Sequence, residues 1–283
     1  MVSAVRTWAQ QLAAWAVPAE IADAAPDSPW VLPRRVFERR ADAQIAAPLG
    51  RTFAEAAAVL AEPGTVLDVG AAAGATSLSL VGRAGVTAVC GVDGDLQLLT
   101  SFAARAERLG VPASTVLGHW PAAAAEVADA DVVLCGNVVY NVPDLEPFVH
   151  ALTTRARRRV IVETALNHPL TELNVLWERF HGIRRPTGPT ARTFCAALGE
   201  LGIDPKISRW RRPDEAEHET FTELVDVTRR RLCLPRERAG EVGEALLELG
   251  VDPKLPPDLG SSGRELVTVT WDGGAGRRVP NRS

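Results

Sequence analysis

An α/β fold built on a mostly parallel sheet is what this chain predicts, and three observations carry the prediction. Between 63 and about 166, short apolar runs recur between stretches of helical periodicity, the pattern of parallel strands joined by crossover helices. The run Val66-Leu67-Asp68-Val69 meets the small-residue turn Gly70-Ala71-Ala72-Ala73-Gly74-Ala75. This has the form of a buried strand entering a ligand-cradling turn and then a helix, which offers free N–H groups and its positive dipole end. Acids stand at two strand ends, Asp68 before the turn and Asp93 about 20 residues beyond it, where ligands of open α/β sheets lie.

Residues 1–58 hold helical patterns at 5–16 and 53–60, divided by Pro18, Pro26, Pro29 and Pro33, and form an N-terminal helical segment ahead of a domain over 59–283. Strands are expected near 65–69, 88–92, 114–118, 131–136 and 159–164, with Asp95 as the N-cap of a helix over 96–109. Helical patterns at 171–183, 190–202, 219–232 and 236–249 then surround a strand at 205–211, and 265–271 reads as the last strand. A helical insertion at about 213–260 therefore separates the last two strands.

The glycine spacing selects the ligand. A dinucleotide fingerprint wants glycine at its first, third and sixth positions, which here are Gly70, Ala72 and Ala75. The chain instead matches Gly-x-Gly-x-Gly with Ala72 in the middle slot, behind a hydrophobic strand that ends in an acid. This resembles the first motif of the class I S-adenosylmethionine-dependent methyltransferases. The resemblance implies a Rossmann-like, seven-stranded, mostly parallel sheet with flanking helices and the seventh strand antiparallel between the fifth and sixth. It implies S-adenosyl-L-methionine as cofactor, its amino group facing Asp68 and its methionine wrapped by Gly70, Ala72 and Gly74. Alanine in the middle slot costs one methyl of clearance.

Asp93 is placed to accept from ribose hydroxyls. His119 falls in the slot of the family's adenine contact, and Trp120 beside it is either a flat apolar face for the ligand or ordinary core. Asn137, Tyr140 and Asn141 follow the fourth strand, where the resemblance places the catalytic side; Asn137 is expected near the cofactor and Tyr140 in the wall facing the acceptor. N-terminal helices in such enzymes often cover the cofactor, which makes a lid of Trp30, Arg34, Arg35, Phe37, Arg39 and Arg40. The competing reading of these residues is a solvated basic face with Trp30 and Phe37 packed inward.

Methyl transfer needs an acceptor held in line and, where its pKa is high, deprotonated. Candidate bases are Glu163 and His168, in and just beyond the fifth strand, and His181 beside the Pro- and Gly-rich segment 182–189. Tyr140, His168 and His181 are the catalytic candidates, each against a structural alternative: a packed ring, a loop cap, a partner for helix-end carbonyls. His150 and His218 have no such context and are expected at the surface.

Composition narrows the classes further. A net charge of −4 over 283 residues gives no general attraction to nucleic acid or anionic membrane. Cys90, Cys135, Cys195 and Cys233 form no Cys-x-x-Cys pair and read as reduced small hydrophobes with no metal site. No apolar stretch of membrane-span length and no signal-peptide pattern is seen, so a cytoplasmic protein is expected. Arginine far outnumbers lysine, present only as Lys206 and Lys254, which suggests a GC-rich bacterial genome. Arg157-Arg158-Arg159 reads as a solubilising cluster and Arg229-Arg230-Arg231 as local ion pairing.

The function expected is methyl transfer to an O, N or C atom of a small-molecule acceptor. Three alternatives stand beside it: a non-catalytic S-adenosylmethionine-binding or regulatory protein, a nucleotide-binding oxidoreductase, and an RNA methyltransferase. The last has no aromatic-interleaved basic surface and no Asn-Pro-Pro-Tyr-type signature in its support. The oligomeric state is open.

Overall fold

The computed structural model describes residues 3–30, 33–214, 218–254, 259–260 and 262–274. The apolar runs become strands β1 (Gly64–Val69), β2 (Val86–Asp93), β3 (Ala113–Leu117), β4 (Ala130–Gly136), β5 (Ala156–Ala165), β6 (Lys206–Arg211) and β7 (Glu265–Asp272). They form one seven-stranded sheet in the order β3-β2-β1-β4-β5-β7-β6. The first five strands are parallel, and β7 runs antiparallel between β5 and β6. The helices are α1 (Ala4–Ala13), α2 (Ala19–Ala24), α3 (Arg34–Ala46), α4 (Arg51–Val59), α5 (Leu96–Arg108), α6 (Leu145–Arg155), α7 (Asn174–His181), α8 (Ala191–Glu200), α9 (Phe221–Arg231) and α10 (Ala239–Glu248).

Central strands of a parallel sheet are covered on both faces, and β1, β4 and β5 correspondingly carry apolar residues side by side at their centres, Val66-Leu67, Val132-Val133-Leu134-Cys135 and Val160-Ile161-Val162. Side-chain alternation divides them between two layers. Leu67, Val69, Val133 and Val162 pack with Phe148 of α6, Phe194 of α8 and Trp8 of α1. Val66, Val132, Leu134 and Ile161 pack on the other face with Ala56 of α4 and Phe102 of α5. Asp95 caps α5, accepting from the amides of Gln97 and Leu98, as its position predicts.

One expected element is missing: no α-helix follows the glycine turn. Between β1 and β2 the chain makes a single 3-10 turn, Leu78–Leu80. The glycines at 74 and 82 take positive φ, and Asp68 Oδ2 accepts from the Ser77 amide at 3.2 Å, so the backbone is diverted where a helix would begin. The vacated layer is filled from the N-terminal segment, whose Ile45, Phe53, Ala56 and Leu60 pack with Leu78 and Leu80.

The N-terminal segment and the insertion are both built into the body. Trp8 is fully buried and donates from Nε1 to the Val142 carbonyl at 2.7 Å. Between β6 and β7, α9 and α10 form a separate small core with α7, joined by Val17, Ile21 and Ala25 from the N-terminal side. Arg229 is buried there and reaches Asp27 and Asp226, both at 2.8 Å. His218, expected at the surface, is buried with its Nδ1 3.8 Å from Glu223, because the insertion turns that stretch under α3. The cluster at 157–159 does more than solubilise: Arg158 pairs with Asp131 and Arg159 with Asp272, tying the amino end of the sheet together. None of the described helices is long and apolar enough to cross a membrane.

Candidate cofactor and acceptor site

The turn after β1 follows the path that a Gly-x-Gly-x-Gly loop needs. Gly70, Ala72 and Gly74 all have positive φ, at +74°, +44° and +92°. Ala72 thus holds a conformation that costs a residue with a Cβ about 1–2 kcal/mol. The amides of Gly70 and Ala71 both donate to the Val92 carbonyl, and Ala72 N donates to Asp93 Oδ2 at 2.8 Å. The other oxygen of Asp93 accepts from Asp95 N at 2.9 Å. A Cβ on Gly70 would stand 2.3 Å from Val138 Cγ2, and one on Gly74 would stand 2.4 Å from Leu78 Cδ1. Both glycines are therefore demanded by the protein's own packing as well as by any ligand.

A cleft of about 740 Å³ opens over this turn at the carboxyl ends of β1, β2, β3 and β4. That volume and position suit a nucleoside-sized ligand. Gly70, Ala72, Asp93, His119, Trp120 and Asn137 all line it, as does Asn141. His119 sits against Gly94, where an added Cβ would come within 2.4 Å of Cε1, and Trp120 is anchored by Nε1 donating to the Phe148 carbonyl. Trp30, Arg34, Phe37 and Arg40 close the opposite side from the N-terminal segment. Arg34 bridges to Asp95 at 2.8 Å, while Arg35 and Arg39 are held by Glu223 of α9, so α3 spans the cleft clamped at both flanks. Burial works to raise the Glu223 carboxyl, but Arg35, the Glu219 amide and Arg39 outweigh it and bring it down to about 2.

Gly74 and Asp68 fall just outside the cleft lining. Gly74 turns the chain, and Asp68 lies beneath the loop on the Val66 face of the sheet, 1% exposed. Its Oδ2 is held by Ser77, whereas Oδ1 accepts no hydrogen bond. Burial without a counter-charge raises this carboxyl to about 6.

The three catalytic candidates sit elsewhere. Tyr140 is buried, stacks on Trp8 and donates to the Ala165 carbonyl at 2.9 Å, and burial pushes its phenol further above its usual range. His168 stacks on Trp15 with ring centres 3.9 Å apart and accepts at Nδ1 from the Leu170 amide. Burial, with Arg185, Arg231 and Arg264 adding to it, lowers this imidazole to about 3. His181 Nε2 donates to the Leu232 carbonyl at 2.7 Å, inside the insertion core. All three side chains are committed to packing, the structural alternative named for each, and none lines either cavity.

A second, narrower cavity of about 190 Å³ adjoins the cleft. The two share Arg40, Ala75, Thr76 and Asn137. Glu163 of β5 lines the smaller one and accepts from Asn137 Nδ2 at 3.3 Å, which singles it out among the candidate bases. Asn137 has φ of +59°, a left-handed conformation that asparagine tolerates, and its backbone amide donates to the Glu163 carbonyl. The rest of this cavity escaped sequence reasoning: Gln44 and Leu49 from the N-terminal segment, and Trp210 and Arg212 at the end of β6. The one available signal was a tryptophan in a largely charged edge strand.

No family model matches the chain, and no curated protein matches it in sequence. Solved structures do match in shape. The YcgJ protein of Bacillus subtilis is 16% identical, with a TM-score of 0.50 over 78% of this chain and 97% of that one. A candidate methyltransferase from Bacillus halodurans is also 16% identical, with a TM-score of 0.50 over 81% and 98%. Magnesium protoporphyrin IX methyltransferase from Synechocystis, solved with SAH bound, gives a TM-score of 0.45 at 16% identity over 62% and 77%. The strand order with its inserted antiparallel β7 and the two likenesses at a TM-score of 0.50 define the fold: it is that of the class I methyltransferases.

Proposed function

We propose that the chain is an S-adenosylmethionine-dependent methyltransferase acting on a small-molecule acceptor. The observation that carries the reading is the pair of adjoining cavities, one of nucleoside size over the glycine turn and one far smaller, joined through Thr76 and Asn137. Two features fit the cofactor: the unanswered Asp68 Oδ1, an acceptor for an ammonium group, and the left-handed turn at 70, 72 and 74, which brings backbone close to a ligand. Asp93 keeps lone pairs on both oxygens for ribose hydroxyls beyond the two amides it already binds, and His119 and Trp120 flank the adenine end.

When bound, S-adenosylmethionine would supply an electrophilic methyl to an acceptor lone pair and leave as S-adenosylhomocysteine, so an acceptor that carries a proton would need a base from this chain. Glu163 is the residue placed to be that base, oriented by Asn137 at the junction of the cavities. Calorimetric titration tests the reading. Micromolar binding of S-adenosylmethionine and S-adenosylhomocysteine with no binding of NAD or NADP is expected, and the reverse preference overturns it. Methyl release with an acceptor library then separates an enzyme from a non-catalytic binder.

A further inference from the structure

Very little separates Glu163 from the cofactor cleft. In the paired strands β4 and β5 it lies directly beside Gly136, so the two share a face of the sheet at the usual strand spacing of about 4.8 Å. Gly136 lines the cleft and has no side chain to screen its neighbour. A hydroxyl fills the place a side chain would take: a Cβ on Gly136 would stand 2.8 Å from Thr76 Oγ1. Asn137, which lines both cavities, donates from Nδ2 to Glu163 Oε1 at 3.3 Å and so holds the carboxylate at the window between them. Its charge is not answered there. Among the described residues Glu163 forms no ion pair, and its one side-chain hydrogen bond comes from that neutral amide. The arginines lining the same cavity are engaged by other groups, Arg39 by Glu219 and Glu223, while Arg40 and Arg212 have partners of their own within the protein. Glu163 is also the only carboxylate among the described residues that line the smaller cavity.

S-adenosylmethionine and S-adenosylhomocysteine carry the same ammonium, carboxylate, ribose and adenine, so contacts at Asp68, Asp93, His119 and Trp120 favour them alike. They differ in one methyl and in one positive charge on sulfur. For transfer to reach the smaller cavity that methyl must face the window, which turns the sulfur toward Glu163. Resting on the methyltransferase reading, we propose that Glu163 is a specificity-determining residue for the cofactor: its carboxylate attracts the charged sulfur across the window of Thr76 and Asn137 and makes the site prefer the methylated ligand to the neutral one. Opposite charges a few ångströms apart in a partly desolvated site attract strongly enough to change affinity about tenfold or more, whereas a neutral thioether gains nothing from the same carboxylate.

Three ligands on one frame test this by calorimetry on the full chain, with no acceptor present: S-adenosylmethionine, the neutral S-adenosylhomocysteine, and sinefungin, in which a carbon bearing an ammonium replaces the methylated sulfur. The two cations are expected to bind at least about tenfold tighter than S-adenosylhomocysteine. Glu163→Gln keeps the side chain's shape and removes its charge. It should abolish the preference by weakening both cations while S-adenosylhomocysteine changes by less than about twofold, and Glu163→Asp should keep part of the preference. Thr76→Val leaves the carboxylate in place and should retain most of it. Equal affinity for all three ligands in the wild type, tighter binding of S-adenosylhomocysteine, or a preference that survives Glu163→Gln overturns the assignment. So does an equal loss of all three ligands in Glu163→Gln, the mark of a purely structural role. Failure of all three to bind the wild type overturns the methyltransferase reading instead.

Discussion

Replacing Asp68 by asparagine keeps the side chain's shape and an oxygen for the Ser77 amide, and removes a carboxylate that is 1% exposed. Burial raises that carboxyl from 3.8 to about 6. The folded state therefore holds a proton that the unfolded chain releases between those values. Stability from this group is fully present below pH 3.8 and falls as pH rises through about 6. A rise of that size corresponds to about 3 kcal/mol. The asparagine variant escapes it, so its stability relative to wild type should improve by about 2.4 kcal/mol between pH 4 and pH 8. In a chain of this length that is a change in relative Tm on the order of 6 °C. The unanswered amide protons of asparagine add an offset that does not vary with pH. His168 titrates identically in both proteins and cancels from the difference.

The cost should appear in the ligand. Losing a charge-assisted bond to the ammonium is expected to weaken S-adenosylhomocysteine binding by about 1.5–3 kcal/mol above pH 6. Thermal scans across pH and calorimetry at pH 8 measure the two halves. A Tm difference that is flat from pH 4 to pH 8 refutes the buried ionised carboxylate. Wild-type affinity in the variant refutes its role toward the ligand.

Ala72→Gly should stabilise the chain by up to about 1 kcal/mol, since relief of the left-handed alanine exceeds the added freedom of glycine in the unfolded state; a loss of more than about 1 kcal/mol in denaturant melts contradicts the loop path. His168, lowered to about 3 by burial first and nearby arginines second, supports the fold above pH 6.5 and progressively less as pH falls toward 3. His168→Phe keeps the stack on Trp15 and should shift acid unfolding to lower pH, as followed by circular dichroism; an unchanged midpoint shows that another group governs it.

Most of what was legible in the sequence is local. Apolar runs of strand length, the left-handed turn at 70–74, the cap at Asp95 and an acid at each of two strand ends depend on neighbours a few residues away, and the structure places them accordingly. Proximity to a strand's carboxyl end also locates the correct end of the sheet, so Asn137, Asn141 and His119 reach the cleft. It does not give the direction of a side chain. Tyr140, between two cleft residues, turns the other way because Trp8 supplies a ring to stack on and Ala165 a carbonyl to bind. The helix expected after the glycine turn is absent for a similar reason: Asp68 takes the Ser77 amide, and residues from α3 and α4 fill the layer that helix would have covered. The smaller cavity draws its walls from α3, α4, the glycine turn, β5 and the end of β6. Sequence periodicity determined which segments become strands and helices, because that depends on short-range sterics and hydrogen bonding. Tertiary packing alone decided which polar groups face a ligand and which face the core, because burial and hydrogen-bond satisfaction are settled by residues far apart in the chain.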